Sequence, residues 1–133
     1  MAKKSAVPLL LITPIFILLS HYLAMFIHEY SHSIMAWVTG FKSNPLALNY
    51  GDSSWQNILY LANVNENVNY ETIYAAGRNF FVALIAFAGA GIGNGIGYFL
   101  SLYLLNKPSI QQKTYWFYFL VWFNLMNIGN FYA

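Results

Sequence analysis

FIHEYSH, residues 26–32, lies inside an apolar run from Pro8 to Trp37 in which Glu29 is the only formally charged side chain. Reading that run as a membrane span decides the fold, because two histidines and a glutamate are costly to hold in hydrocarbon and mark a functional site by default. The composition points the same way. Of 133 residues, 59% are hydrophobic, 20% aromatic and only 8% charged, and the mean hydropathy is +0.48; a small soluble domain is less apolar than this. Six basic and four acidic residues give a formal net charge of +2, too sparse for a nucleic-acid surface. With no cysteine, a disulfide, a thiolate ligand and a Cys nucleophile are all ruled out, so a metal site must be built from His, Asp, Glu or Asn.

Outward from this stretch, the pattern predicts one α-helical, membrane-embedded domain over residues 1–133, with about three transmembrane helices near 8–38, 75–105 and 114–131. The opening segment has the basic start and apolar core of a secretory signal, but its apolar character runs on to Trp37 with no small-x-small cleavage site, so it is expected to stay as an anchor. The first span exceeds the roughly 20 residues that cross hydrocarbon, so it is expected to tilt, to kink near Pro14 or to extend beyond the bilayer. The second contains GAGIGNGIG, in which Gly89, Gly93 and Gly97 repeat every four residues, a ladder suited to close helix packing. Asn94 would be its polar lining. The segment 41–74 differs: Leu46, Leu48 and Tyr50 alternate with Ala47 and Asn49, Gly51 to Ser54 supply turn residues, and Trp55 to Val64 is β-prone. A small β hairpin is expected there, between the first and second spans. Lys3, Lys4, Lys107 and Lys113 fall on one side of three spans, with Lys42 and Arg78 on the other. The positive-inside rule then puts the N-terminus in the cytoplasm.

On a helix, His28 and His32 lie one turn apart on a single face, spaced to hold one metal ion between their imidazoles. Glu29 beside them can reach a water at the metal without ligating it, the place of the general base in HExxH peptidases. The expected metal is Zn2+. The competing explanation is a hydrogen-bonded polar cluster that glues helices together. His21 shares the face but lies about 10 Å up the axis, too far for the same ion, and reads as a structural histidine. In the third span Asn124, Asn127 and Asn130 recur every three residues at a depth similar to that of His28. Asn94, Asn127 and Asn130 are therefore candidates for substrate binding, with interhelical amide hydrogen bonds as the alternative.

His28-Glu29-Tyr30-Ser31-His32 resembles the HExxH helix of the site-2 protease family of intramembrane zinc metalloproteases. Ala75-Ala76-Gly77 is loosely similar to that family's AxGPxxN element, with Arg78 where proline is usual, and the β-prone 41–64 segment resembles its membrane-associated sheet. The resemblance implies a zinc metalloendopeptidase that cleaves within or near the transmembrane segments of a protein substrate in the lipid bilayer, with the edge of the sheet holding that substrate extended. It also implies a cytosolic loop after the first span, opposite to the charge count, so sidedness stays open. The family completes its metal site with an aspartate from a later span, and none follows Asp52 here. Ala133 stands near where that aspartate belongs. The expectation is that the natural chain continues or that Ala133 replaces the ligand, with Asp52 as the first suspect otherwise. A catalytically incomplete pseudoprotease, or a membrane scaffold that binds client helices, is the alternative function.

Overall fold

The computed structural model describes residues 5–131. Lys3, Lys4 and Ala133, which enter the charge count and the expected third ligand, lie outside the described residues. The apolar run forms one helix, α1 (Val7–Val38), with Pro8 in its first turn and Pro14 within it. At 32 residues it is about 48 Å long, well over the roughly 30 Å of a hydrocarbon core. It stops where Gly40 takes a φ of +83°, the left-handed conformation that glycine adopts most readily at a helix end.

The expected hairpin does not form. Among the described residues there is no strand, only a single antiparallel bridge between Asn49 and Asn65. Side chains take up the carbonyls that a ladder would use: Ser33 Oγ donates to Pro45 O at 2.7 Å, Lys42 Nζ to Ala47 O at 2.6 Å, and Asn57 Nδ2 to Tyr50 O and Asp52 O, both at 2.7 Å. Such local bonds compete directly with sheet pairing. The β-prone run from Trp55 becomes a short helix, α2 (Trp55–Tyr60), because Ser54 caps it by accepting from Asn57 N. A second short helix, α3 (Tyr70–Ala75), is capped by Asn69.

Gly77, at a φ of +71°, turns the chain after α3, so the second long helix begins at Asn79 and not at Ala75. It runs to Leu105 as α4 (Asn79–Phe87), a π-helical segment (Ala88–Asn94) and α5 (Gly95–Leu105). One turn, α6 (Pro108–Gln111), leads into α7 (Thr114–Phe131). The partners of individual side chains give the directions. Thr13 meets Tyr118, while Ser101 meets Asn124, and His32 meets Ile85 whereas Asn94 meets Ala24. So α1 and α7 run parallel, and α4–α5 runs antiparallel to both.

The core has three layers along α1. Ala24, Leu120 and Phe123 form one apolar cluster, and Ala36, Ile73, Val82 and Ile85 form another. Between them lie buried polar residues, among them Glu29, His32, Ser33, Asn94 and Asn127. The outside is apolar: Leu11, Phe80 and Phe99 are 75, 73 and 68% exposed. Among the described residues two helices, Val7–Val38 and Asn79–Leu105, are long and apolar enough to cross a membrane.

Candidate functional site

His28, Glu29 and His32 open into the polar layer on the face of α1 that meets the π segment. The two imidazoles stand edge to face, 4.6 Å between ring centres. Backbone carbonyls fix the protonated nitrogen of each. His32 Nδ1 lies 2.6 Å from Ile85 O, and a carbonyl only accepts, so Nδ1 carries the hydrogen. Gly89 N–H lies 3.3 Å from the same nitrogen, and the shorter contact decides the assignment. His28 is fixed one step further away. Asn94 Nδ2 donates to Ala24 O at 3.0 Å and to Asn127 Oδ1 at 3.1 Å. The Ala24 carbonyl thus fixes the amide's orientation and turns its Oδ1 toward His28, where His28 Nδ1 donates to it at 2.6 Å. With Nδ1 taken in both rings, Nε2 is the nitrogen that would carry the lone pair of the neutral imidazole, the form a metal requires.

The glycine ladder makes room for these side chains. A Cβ on Gly89 would stand 2.2 Å from His32 Nε2 and 2.8 Å from His28 Cδ2, and one on Gly93 would stand 2.3 Å from Ser31 Oγ. One on Gly97 would meet Asn127 Oδ1 at 2.3 Å. Close packing of the two helices, expected from the sequence, therefore takes the form of three cradles for polar side chains. The extra backbone residue of a π segment lies where α4–α5 meets His28 and His32.

Of the sequence-predicted substrate residues, Asn94 and Asn127 belong to one amide chain that continues from Asn127 Nδ2 to Phe123 O at 2.8 Å. They also line a groove of about 410 Å³ with Gly91, Tyr98 and Phe131. Asn130, half-buried, follows one turn later on α7. Asn124 binds Tyr98 O and Ser101 Oγ, an interhelical clamp. His21 has the structural role its position suggested, with Nε2 2.9 Å from Tyr60 O.

The loop brings one group that sequence reasoning did not place at the site. Glu66 presents both its carboxyl and its backbone N–H to the Glu29 carboxyl, and it lies within electrostatic range of His28. Tyr70 donates its phenol to Glu66 Oε1, and Lys42 Nζ donates to the Glu66 carbonyl. Burial, then the hydrogen bond to Glu66, raises the Tyr70 phenol above its ordinary range, so it stays a donor. Burial lowers the Lys42 ammonium, and the Glu66 charge opposes that shift. The one local hint was that Tyr70 follows Glu66 by four residues. Asp52, the earlier suspect, is elsewhere: its carboxylate is engaged by Ser54 and Asn63.

For zinc, the donor chemistry fits in two places, the Nε2 atoms of His28 and His32. Among the described residues no three His, Cys, Asp or Glu side chains stand gathered as a ligand set. Neither a protein-family model, nor a curated protein, nor a solved structure matches the chain.

Proposed function

We propose that the protein is an intramembrane zinc metalloprotease that hydrolyses peptide bonds within or near the transmembrane segments of other membrane proteins. The observation that carries this reading is the pair of histidines whose Nδ1 atoms are committed to Asn94 and Ile85 carbonyl oxygens, with Glu29 beside them. A helix-gluing cluster has no need of two adjacent imidazoles anchored through the same ring nitrogen. The apolar exterior supports a bilayer setting, in which α1, α4–α5 and α7 are the three spans. The resemblance of His28 to His32 to the site-2 protease motif agrees with it.

His28 and His32 would hold a zinc ion, which when bound would supply Lewis acidity and a water of lowered pKa, about 7. Glu29, next to His28 in the chain and 7% exposed, would be the general base, accepting a proton from the attacking water and returning it to the leaving amine. Asn94 and Ile85 hold the imidazoles in register.

His28→Ala or His32→Ala is expected to remove zinc from the purified protein, whereas Glu29→Gln should keep zinc and lose cleavage of a model transmembrane substrate. Zinc content unchanged in the double histidine variant would reject the metal site. The incomplete ligand set among the described residues favours a second reading, a pseudoprotease or scaffold that binds client helices. That reading expects client binding with no cleavage even in zinc-loaded protein.

A further inference from the structure

We propose that the groove between the start of α7 and α1 binds an anionic phospholipid, with one acyl chain against Phe16, Leu19 and Trp116, the phosphate on Lys113, and Lys107 adding charge at the same end of the bundle. The proposal needs only the bilayer setting. It stands or falls apart from the protease reading, because it involves neither His28, Glu29 nor His32.

The groove has a volume of about 270 Å³ and is lined by Phe16, Leu19, Tyr115, Trp116 and Phe119, with no polar atom exposed in it. Ring contacts set its walls: Phe16 and Phe119 meet edge to face at 5.5 Å, and Trp116 and Phe119 at 6.4 Å. Lys113, exposed, opens α7 by accepting at its carbonyl from Phe117 N–H and stands one turn before Trp116. From Lys113 to Phe119 is about 9 Å along the helix axis. An ammonium above an apolar slot of that depth matches the order in which a phospholipid presents its phosphate and its chain. Tyr103, Tyr115 and Trp116 are all exposed here, and such side chains sit at headgroup level.

Charge selects the headgroup. The start of α1, the end of α5 and the start of α7 share one end of the bundle, since Thr13 meets Tyr118 at 2.6 Å and α5 runs the other way. The four acidic residues are Glu29, Asp52, Glu66 and Glu71. Glu29 lies about 30 Å further along α1, and the other three belong to the loop and α3, whose hydrogen bonds with α1 begin at His21. This end therefore carries lysines and, among the described residues, no carboxylate. Lys107 Nζ lies 4.2 Å from the centre of the Tyr103 ring, a cation–π contact that positions the ammonium while its N–H donors stay available to a phosphate.

Other occupants fit less well. A second copy related by a two-fold axis along the bilayer normal would bring the same patch against itself, lysine facing lysine. A client transmembrane helix offers hydrocarbon to the groove and nothing to the ammonium groups above it.

The test uses the full chain in phosphatidylcholine nanodiscs containing a minor fraction of lipid brominated in the upper part of its acyl chains, with tryptophan quenching as the readout. Brominated phosphatidylglycerol should quench more than brominated phosphatidylcholine at the same mole fraction, and high salt should reduce the difference. Trp116→Phe should abolish the excess quenching, which locates the lipid. Lys113→Gln should weaken the preference about fivefold, the effect of one lysine near an anionic surface. Lys113→Arg should restore it, and Lys42→Gln, on the loop, should leave it unchanged. Leu19→Trp, at a half-exposed position, should fill the groove and displace the chain without touching the lysines, so native mass spectra should retain less phosphatidylglycerol.

Equal quenching by the two lipids in the wild type, or a preference untouched by Lys113→Gln, would overturn the proposal. So would an equal loss in Lys42→Gln, which would mean diffuse charge and no site. Dimers in native mass spectra that Leu19→Trp abolishes would give the groove to a second copy, also against the proposal. None of these results depends on zinc or cleavage.

Discussion

To the polar layer Ala24 and Ile85 contribute only backbone carbonyls, yet those carbonyls set how the two imidazoles are oriented. The Asn94 side chain makes this testable, because it alone stands between Ala24 O and His28. Asn94→Leu removes the acceptor and frees His28 to turn or change tautomer, and should lower zinc affinity about 10- to 100-fold. Asn94→Asp keeps an acceptor for His28 Nδ1 and should hold zinc much better than Asn94→Leu. Competition against a zinc-chelating dye measures both, and 15N shifts of His28 report the tautomer directly. Equal affinity in the two variants would mean that Asn94 fills space and no more. At this scale HExxH was legible, since its spacing is local, and Asn94 was legible as a polar lining. Glu66 was not, because its place depends on Lys42, Asn49 and Tyr70 meeting across the loop, and no period in the sequence encodes that.

The long helices were legible as elements because hydropathy is summed over many residues. The third span was read at 114–131 and the helix runs from Thr114 to Phe131. The head of the second shifted to Asn79 for a local reason, the left-handed turn at Gly77. The hairpin was misread because alternation over five residues is a weak cue beside one serine cap and the side chains that claimed the strand carbonyls. The glycine ladder was read for close packing, and the structure adds what each gap receives. Gly89→Ala and Gly93→Ala should destabilise the fold by about 1–3 kcal/mol each through overpacking, because backbone and ring atoms cannot withdraw as a lysine tip would. Gly95, where an added Cβ meets nothing within 4 Å, should accept alanine without loss. Thermal unfolding in one detergent compares the three. Equal tolerance at Gly89 and Gly95 would contradict the cradle.

Across the whole molecule, the loop lies along α1 for much of that helix's length. Ser33 meets Pro45, Tyr30 meets Tyr50, Tyr22 meets Ile58, and His21 meets Tyr60, before Glu66 returns to the level of Glu29. Non-helical backbone at membrane depth is tolerated only where it is buried in protein or lines water, and the hydrolysis proposed at Glu29 would need water there as well. One arrangement satisfies both needs. In it the exposed apolar side chains of Leu11, Phe80 and Phe99 would meet lipid, while the loop would border an aqueous notch reaching the middle of α1. Asp52 is the natural marker of that notch, since it is exposed, and the Ser54 hydroxyl and N–H hold its carboxyl below the ordinary range. A carboxylate kept charged in this way belongs in water. Single cysteines introduced into the cysteine-free chain and spin-labelled in nanodiscs should divide accordingly: labels at Leu11 and Phe99 relaxed by oxygen, a label in place of Asp52 relaxed by a water-soluble nickel chelate. Adding zinc should not close the notch if it serves catalysis. A label at position 52 that behaves like those at Leu11 and Phe99 would leave Glu29 without a route for water, and the scaffold reading would then be the better account of the same residues.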